Sequence, residues 1–194
     1  MNKHLDWPNH IDFICKKIRS GIFVLGRLRD EVSISVLRMI YFAHVYSHIK
    51  NNIIFWGSCT YANRVFVLQK RSLRVMLRVP PTNSCYNIFK ELGILTVHGI
   101  YVMDCIMFVS KNLDLFAKNS DTHGLNTRYR NNLSVFQHSK SIFEKSPKYR
   151  MVHIYNKLPK NIKEITIVSK FKKAVFKYLL NLNLYSLSDY FDAV

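Results

Sequence analysis

The chain has 194 residues, enough for one globular unit or two small ones that bury about 70 % of their unfolded surface. Apolar residues make up 48 % of it, with 13 Phe and 11 Tyr but only 6 Gly and 5 Pro, which excludes wholesale disorder. Lys and Arg number 29 against 12 Asp and Glu, a net charge of +17, so an anionic partner is expected: nucleic acid first, an anionic membrane surface second, an acidic protein third.

From His10 to Leu28, Ile11, Ile14, Cys15, Ile18, Ile22 and Leu25 recur at helical spacing, with Lys16, Lys17, Arg19, Arg27 and Arg29 elsewhere around the surface. A basic amphipathic helix is predicted, preceded by Pro8 near its first turn. Ser33 to Ile49 repeats the pattern through Val36, Leu37, Ile40, Tyr41, His44, Val45 and His48, with Ser33 or Ser35 as its cap. The two helices are expected to pair as an antiparallel hairpin. Asn51 and Asn52 mark a turn, and the run Ile53, Ile54, Phe55 and Trp56 before Gly57 reads as buried.

Tyr61 to Arg78, YANRVFVLQKRSLRVMLR, is the most informative stretch. It carries Arg64, Lys70, Arg71, Arg74 and Arg78 without a single acid, whereas a solvated surface helix usually interleaves Glu with Lys for pairing one turn apart. At 3.6 residues per turn Lys70, Arg74 and Arg78 share one face, and Val65, Leu68, Ser72, Val75 and Met76 form a seam for a core. The expectation is one face on protein and one on phosphates. Pro80 and Pro81 must stop this helix.

A short helix is predicted over Asn87 to Leu92, ended by Gly93, and a long apolar one over Val97 to Phe116. Ala117 to Lys148 loses periodicity and reads as an extended basic segment. Here Arg128 and Arg130 flank Tyr129, a mixture of charge and ring that suits a nucleic-acid strand; a solvated loop is the competing reading. Tyr149 to Leu158 reads as a short helix stopped by Pro159, and Ser169 as the cap of a last helix through Phe171, Val175, Phe176, Leu179 and Leu180.

The four cysteines, Cys15, Cys59, Cys85 and Cys105, lie far apart, so no zinc knuckle is expected and reduced thiols packed as small hydrophobes are. His44 and His48 stand one helical turn apart, but HVYSH lacks the Glu of the metalloprotease motif, and packed or half-exposed histidines are the plainer reading. Cys59 has neither a Gly-rich elbow nor a nearby orienting acid that would mark a nucleophile. MNKHLDWPNH has no apolar run fit for a signal peptide, and Ile94 to Val109, broken by His98 and Asp104, falls short of a membrane span. An intracellular protein is expected, with nucleus and cytoplasm both open.

In their order these landmarks resemble the C-terminal part of the reverse transcriptase of non-LTR retrotransposons, jockey-like insect elements in particular. Leu5, Trp7 and His10 with IDFICKKI are similar to the family's Leu-x-Trp-x-x-His-Ile opening of the polymerase thumb. RMIYFAHVYSHI with FWG resembles its Tyr-rich helix and Trp-Gly, VFVLQKRSLRVML its Leu-Gln-Lys-Arg helix, and NIFKELGILTVHGIY its Phe-Lys-Glu-Leu-Gly-Ile-Leu-Thr run. HGLNTRYRNNL resembles a His-x-x-x-Thr-Arg element, and IYNKLPKNIKE with FKKAVFKYLL the Tyr-Asn-x-Leu-Pro and Phe-Lys terminal helix. Each piece alone is weak; their order from Leu5 to Leu180 carries the likeness.

Two departures matter. Lys50, Asn51 and Asn52 stand where the family often has Tyr-Gly before Trp-Gly. Polymerases of this family also need an Asp-Asp pair and a further Asp to hold two divalent metals, and the only adjacent acids here are Asp30 and Glu31. The resemblance thus implies a fragment beginning just after the palm, with no catalysis as an isolated chain and no cofactor, divalent metal belonging only to the intact polymerase. It implies a mainly α fold: a helical thumb-like region over 1–116, a basic linker or extended segment over 117–148, and a small C-terminal helical region over 149–194. The implied partners are the backbone of RNA–DNA or DNA duplex and the palm of the parent polymerase. The residues expected on nucleic acid are Lys16, Lys17, Arg19, Arg64, Lys70, Arg71, Arg74, Arg78, Arg128 and Arg130. Two rivals remain: a domesticated helical protein-interaction module, and a basic helical protein at a membrane surface.

Overall fold

The computed structural model describes residues 7–122, 128–135 and 138–193, and the described residues are mainly α-helical, with no strand beyond one isolated antiparallel bridge between Lys118 and Leu133. Helix α1 (Pro8–Leu28) starts with Pro8 in its first turn, where no backbone N–H is needed. Its buried face is the expected one: Ile11, Ile14, Cys15, Ile18, Ile22 and Leu25. After a turn at 29–33 the chain runs back along α1 as α2 (Ile34–Tyr41), a π-helical segment (Phe42–Tyr46) and α3 (Ser47–Lys50). The predicted second helix is therefore present with a widened turn in its middle. Ser33 occupies the N-cap, yet its hydroxyl bonds Ser35 Oγ at 2.8 Å and caps no backbone N–H.

The turn forecast at Asn51 and Asn52 is made with Asn52 at φ 53°, and Asn51 O accepts the indole N–H of Trp56 at 2.9 Å. Trp56 closes α4 (Ile53–Trp56) and is fully buried. Helix α5 (Ala62–Leu77) packs along α1 more extensively than any other pair of elements pack. It ends two residues before the prolines, at Arg78 with φ 57°. Helix α6 (Tyr86–Glu91) is closed by Gly93 at φ +60°, the left-handed cap the sequence predicts.

Helix α7 (Val97–Lys111) is buried on nearly every side, through Val97, Ile100, Tyr101, Val102, Met103, Cys105, Ile106 and Val109. A helix apolar all round belongs at the centre of a core, and α7 touches α3, α4 and α5 as well as α9 and α11. Thr96 caps it, accepting from Gly99 N at 3.0 Å. It stops at Lys111, short of the forecast Phe116, where Leu113–Leu115 tighten into a 3-10 turn.

Among its described residues the basic segment holds short elements, α8 (Asn119–Thr122) and a 3-10 stretch Ser141–Lys145, in line with the irregular reading. Helix α9 (Pro147–Lys157) is capped by Ser146, and α10 (Lys160–Lys163) follows Pro159. Helix α11 (Val168–Leu182) ends at Asn183 with φ 50°, and α12 (Leu187–Asp192) carries a capping box from Ser186 and Asp189. Ser169, the forecast cap of the last long helix, lies inside α11 rather than before it. No helix among the described residues is long and apolar enough to cross a membrane.

The buried core crosses the expected bounds between a thumb-like region, a linker and a small C-terminal region. One buried cluster runs from Ile11 to Tyr190. Polar ties cross the same boundary: Thr96 Oγ1 donates to Leu184 O at 2.6 Å, and Asn183 Nδ2 to Tyr86 O at 2.6 Å. The reason is α7, whose apolar surface is too broad for the N-terminal helices alone. Two stretches singled out in the sequence also meet: the amide of Asn156 accepts from Leu133 N at 2.9 Å and donates to Leu133 O at 2.8 Å.

Candidate nucleic-acid interface

The basic residues of α5 divide according to what their neighbours leave free. Arg64 Nη2 lies 2.6 Å from Asp12 Oδ1, and that carboxylate raises the guanidinium pKa further. Lys70 is half-buried, its ammonium 4.5 Å from the centroid of Phe66 and 5.7 Å from that of Tyr185. Arg74 donates from Nε and Nη2 to Asn83 O at 3.2 and 2.9 Å, holding the turn after α5. Arg78 lies 2.7 Å from Asp30 and also donates to Arg29 O at 3.0 Å. Lys70, Arg74 and Arg78 thus do recur along one side, but each is bound within the chain. On that side a phosphate shares these cations with their partners inside the chain.

Arg71 is different. It is exposed, and it lines an open groove of about 490 Å³ between α1 and α5 together with Arg19, Arg27 and Arg29, over Ile22, Phe23, Gly26 and Val75. Among the described residues no acid lines this groove. Among the described residues Arg19, Arg27 and Arg71 pair with no carboxylate. Arg29 lies 3.4 Å from Asp30, whose nearer partner is Arg78. Four guanidinium groups around an apolar floor form a place where an anion gains charge-assisted, bidentate contacts.

Of the other candidates, Lys16 and Lys17 are exposed on α1, Lys17 with its ammonium 5.5 Å from the Phe13 centroid. Arg128 and Arg130 are exposed in a turn whose backbone is held by Asn119 Nδ2 on Tyr129 O and Ser120 N on Arg130 O, both at 2.9 Å. They are not among the groove's lining residues. His123 to Thr127, the start of the His-x-x-x-Thr-Arg-like stretch, lies outside the described residues. The structure therefore assembles Arg19 and Arg71 from the expected set and adds Arg27 and Arg29. Those two were visible as basic residues of the first helix; what the sequence alone lacks is the side-by-side packing of α1 on α5.

Burial raises the pKa of the Cys15, Cys85 and Cys105 thiols, which disfavours thiolate. Burial lowers that of His48, with Lys17 and His44 adding to the effect. No group of three His, Cys, Asp or Glu that could hold a metal occurs among the described residues. A second, more apolar groove of about 700 Å³ opens between α7 and α11, lined by Ile54, Met103, Met107, Phe108 and Phe176, with Lys50 3.5 Å from Asp104 at its side. No family model, no curated protein and no solved structure matches the chain.

Proposed function

We propose that this chain is a thumb-like C-terminal region of a jockey-like non-LTR retrotransposon reverse transcriptase, and that it holds the backbone of an RNA–DNA or DNA duplex without catalysing phosphoryl transfer by itself. The observation that carries the reading is the acid-free groove of Arg19, Arg27, Arg29 and Arg71 on a chain of net charge +17. The ordered sequence landmarks supply the family. The one adjacent acid pair, Asp30 and Glu31, sits in the turn after α1, where Asp30 lies 2.7 Å from Arg78 and 3.4 Å from Arg29. In this reading the palm of the parent polymerase is a second partner.

The test is anisotropy of a fluorescent RNA–DNA duplex over a salt series with the full chain. Affinity falls steeply with salt, and Arg19→Ala, Arg27→Ala and Arg71→Ala each flatten the log–log slope by about one contact. Arg74→Ala and Lys70→Ala change it little. No binding at low salt by a folded sample refutes the proposal. The apolar groove beside α11 favours a second reading, a helical protein-interaction module, whose mark is partner binding insensitive to salt.

A further inference from the structure

Helix α1 carries a second pattern on its outward side. Opposite the buried Ile11, Ile14, Ile18 and Leu25 stand Phe13, Lys16, Lys17, Ser20, Phe23 and Arg27. Both rings are open to solvent, Phe13 at 53 % and Phe23 at 67 % exposure. Each has a cation one turn on: Lys17 Nζ lies 5.5 Å from the Phe13 centroid, and the Arg27 guanidinium carbon 5.7 Å from that of Phe23. Ten residues of helix separate the rings by about 15 Å along the axis. The one acid on this side, Asp12, is taken by Arg64.

Phosphate contact alone needs no phenyl ring, and Phe23 differs from a lone surface ring in lining a recess together with four guanidinium groups. In a duplex the base faces are already stacked on one another, so Phe23 has nothing to cover it there. A single strand has free base faces and the same phosphates. A bilayer surface is flat, whereas Arg19, Arg27, Arg29 and Arg71 surround a recess with Phe23 in its wall; a strand enters such a recess and a headgroup layer meets only its rim.

The geometry points to single-stranded nucleic acid as a second ligand of the α1–α5 groove beside duplex, with one base stacked on Phe23 and its flanking phosphates on Arg19, Arg27 and Arg71. This deepens the nucleic-acid reading above and rests on it. Arg27 has two tasks in it, holding a phosphate and sandwiching the ring system from the side.

The experiment compares four fluorescent or sedimentable probes with the full chain: a short oligouridine, its abasic counterpart, an RNA–DNA duplex, and phosphatidylserine vesicles. Phe23→Ala weakens oligouridine binding roughly tenfold, leaves the abasic strand and the duplex within about twofold, and Phe23→Trp restores the affinity. Phe23 is exposed, and an unchanged circular dichroism spectrum verifies that the Ala variant is folded. Equal affinity of Phe23→Ala and wild type for oligouridine, or an equal loss on the abasic strand, overturns the inference. So does binding that depends on Phe23 for vesicles but is absent for oligouridine. Retained, arginine-dependent duplex binding in those cases leaves the broader proposal standing; loss of every oligonucleotide at low salt ends both.

Discussion

Gln69 is fully buried and makes three hydrogen bonds, so its replacement by Leu is a sharp test of how the core is held. Its Nε2 donates to Tyr41 Oη and to Leu95 O, each at 2.9 Å, and its Oε1 accepts from Val97 N at 2.9 Å. One side chain thereby joins α5, α2 and the first turn of α7. Leu has nearly the same shape but satisfies none of these groups. Leu95 and Val97 are themselves buried, at 4 % and 0 % exposure, so their C=O and N–H are stranded away from water. The Tyr41 hydroxyl, fully buried too, loses its partner as well, so at about 1–3 kcal/mol for each of the three groups left unpaired the loss is roughly 3–9 kcal/mol, and the apolar gain of Leu offsets part of it. With a urea m-value of about 2–3 kcal/mol/M, a loss of 3 kcal/mol moves the midpoint down by about 1–1.5 M. Tyr41→Phe removes only one of the three bonds and leaves the amide its Leu95 partner, so it costs about 1 kcal/mol. The assay is urea unfolding followed by circular dichroism and fluorescence. A Gln69→Leu midpoint within the error of wild type at unchanged slope refutes the reasoning.

Gly57→Ala destabilises by about 1–3 kcal/mol in thermal or urea melts, as overpacking does, because a Cβ there stands 2.4 Å from Tyr101 Cδ2 and 2.8 Å from Ile53 O; an unshifted melt contradicts that contact. Stability also falls as pH drops from 7.5 to 5.5. Burial lowers the His98 pKa below its ordinary 6.5 despite the nearby Asp189, and its Nδ1 has no hydrogen-bond partner among the described residues. The unfolded chain therefore takes up the proton first, and the stability present above pH about 6.5 is lost below it until folded His98 also titrates. His98→Leu makes the fall shallower; a profile equally steep in that variant assigns the effect elsewhere.

The helices whose burial follows one period were legible in the sequence. α1 begins within two residues of its forecast start, and the polar Ser72 was read onto the core seam, where it is fully buried. Gln69 lies on that same face and was missed, since periodicity marks the position but polarity argues against burial until three partners from distant segments are known. Val75, forecast in the seam, packs half-buried against the core and also lines the arginine groove. α12 was missed because Leu187 to Asp192 is too short to show a period; the capping box of Ser186 and Asp189 was its one local signal. The candidate site was half legible for a related reason. Composition identifies cations, but which ones are free depends on where carboxylates, carbonyls and rings arrive, and Asp12, Asp30 and Asn83 reach Arg64, Arg78 and Arg74 through turns or helix packing.

The central place of α7 bears on how the protein is made. Its N-terminal neighbours precede it in synthesis, but α9 begins at Pro147 and α11 ends at Leu182. From Lys111 to Leu182 the ribosome adds 71 residues (182 − 111), which takes roughly 4–14 s at about 5–20 residues per second. Until α9 is made at Lys157 and α11 at Leu182, the side of α7 that each will cover is bare. Slower elongation through the basic segment is therefore expected to lengthen the exposure of that surface and to lower the yield of folded chain, whatever the stability of the finished fold.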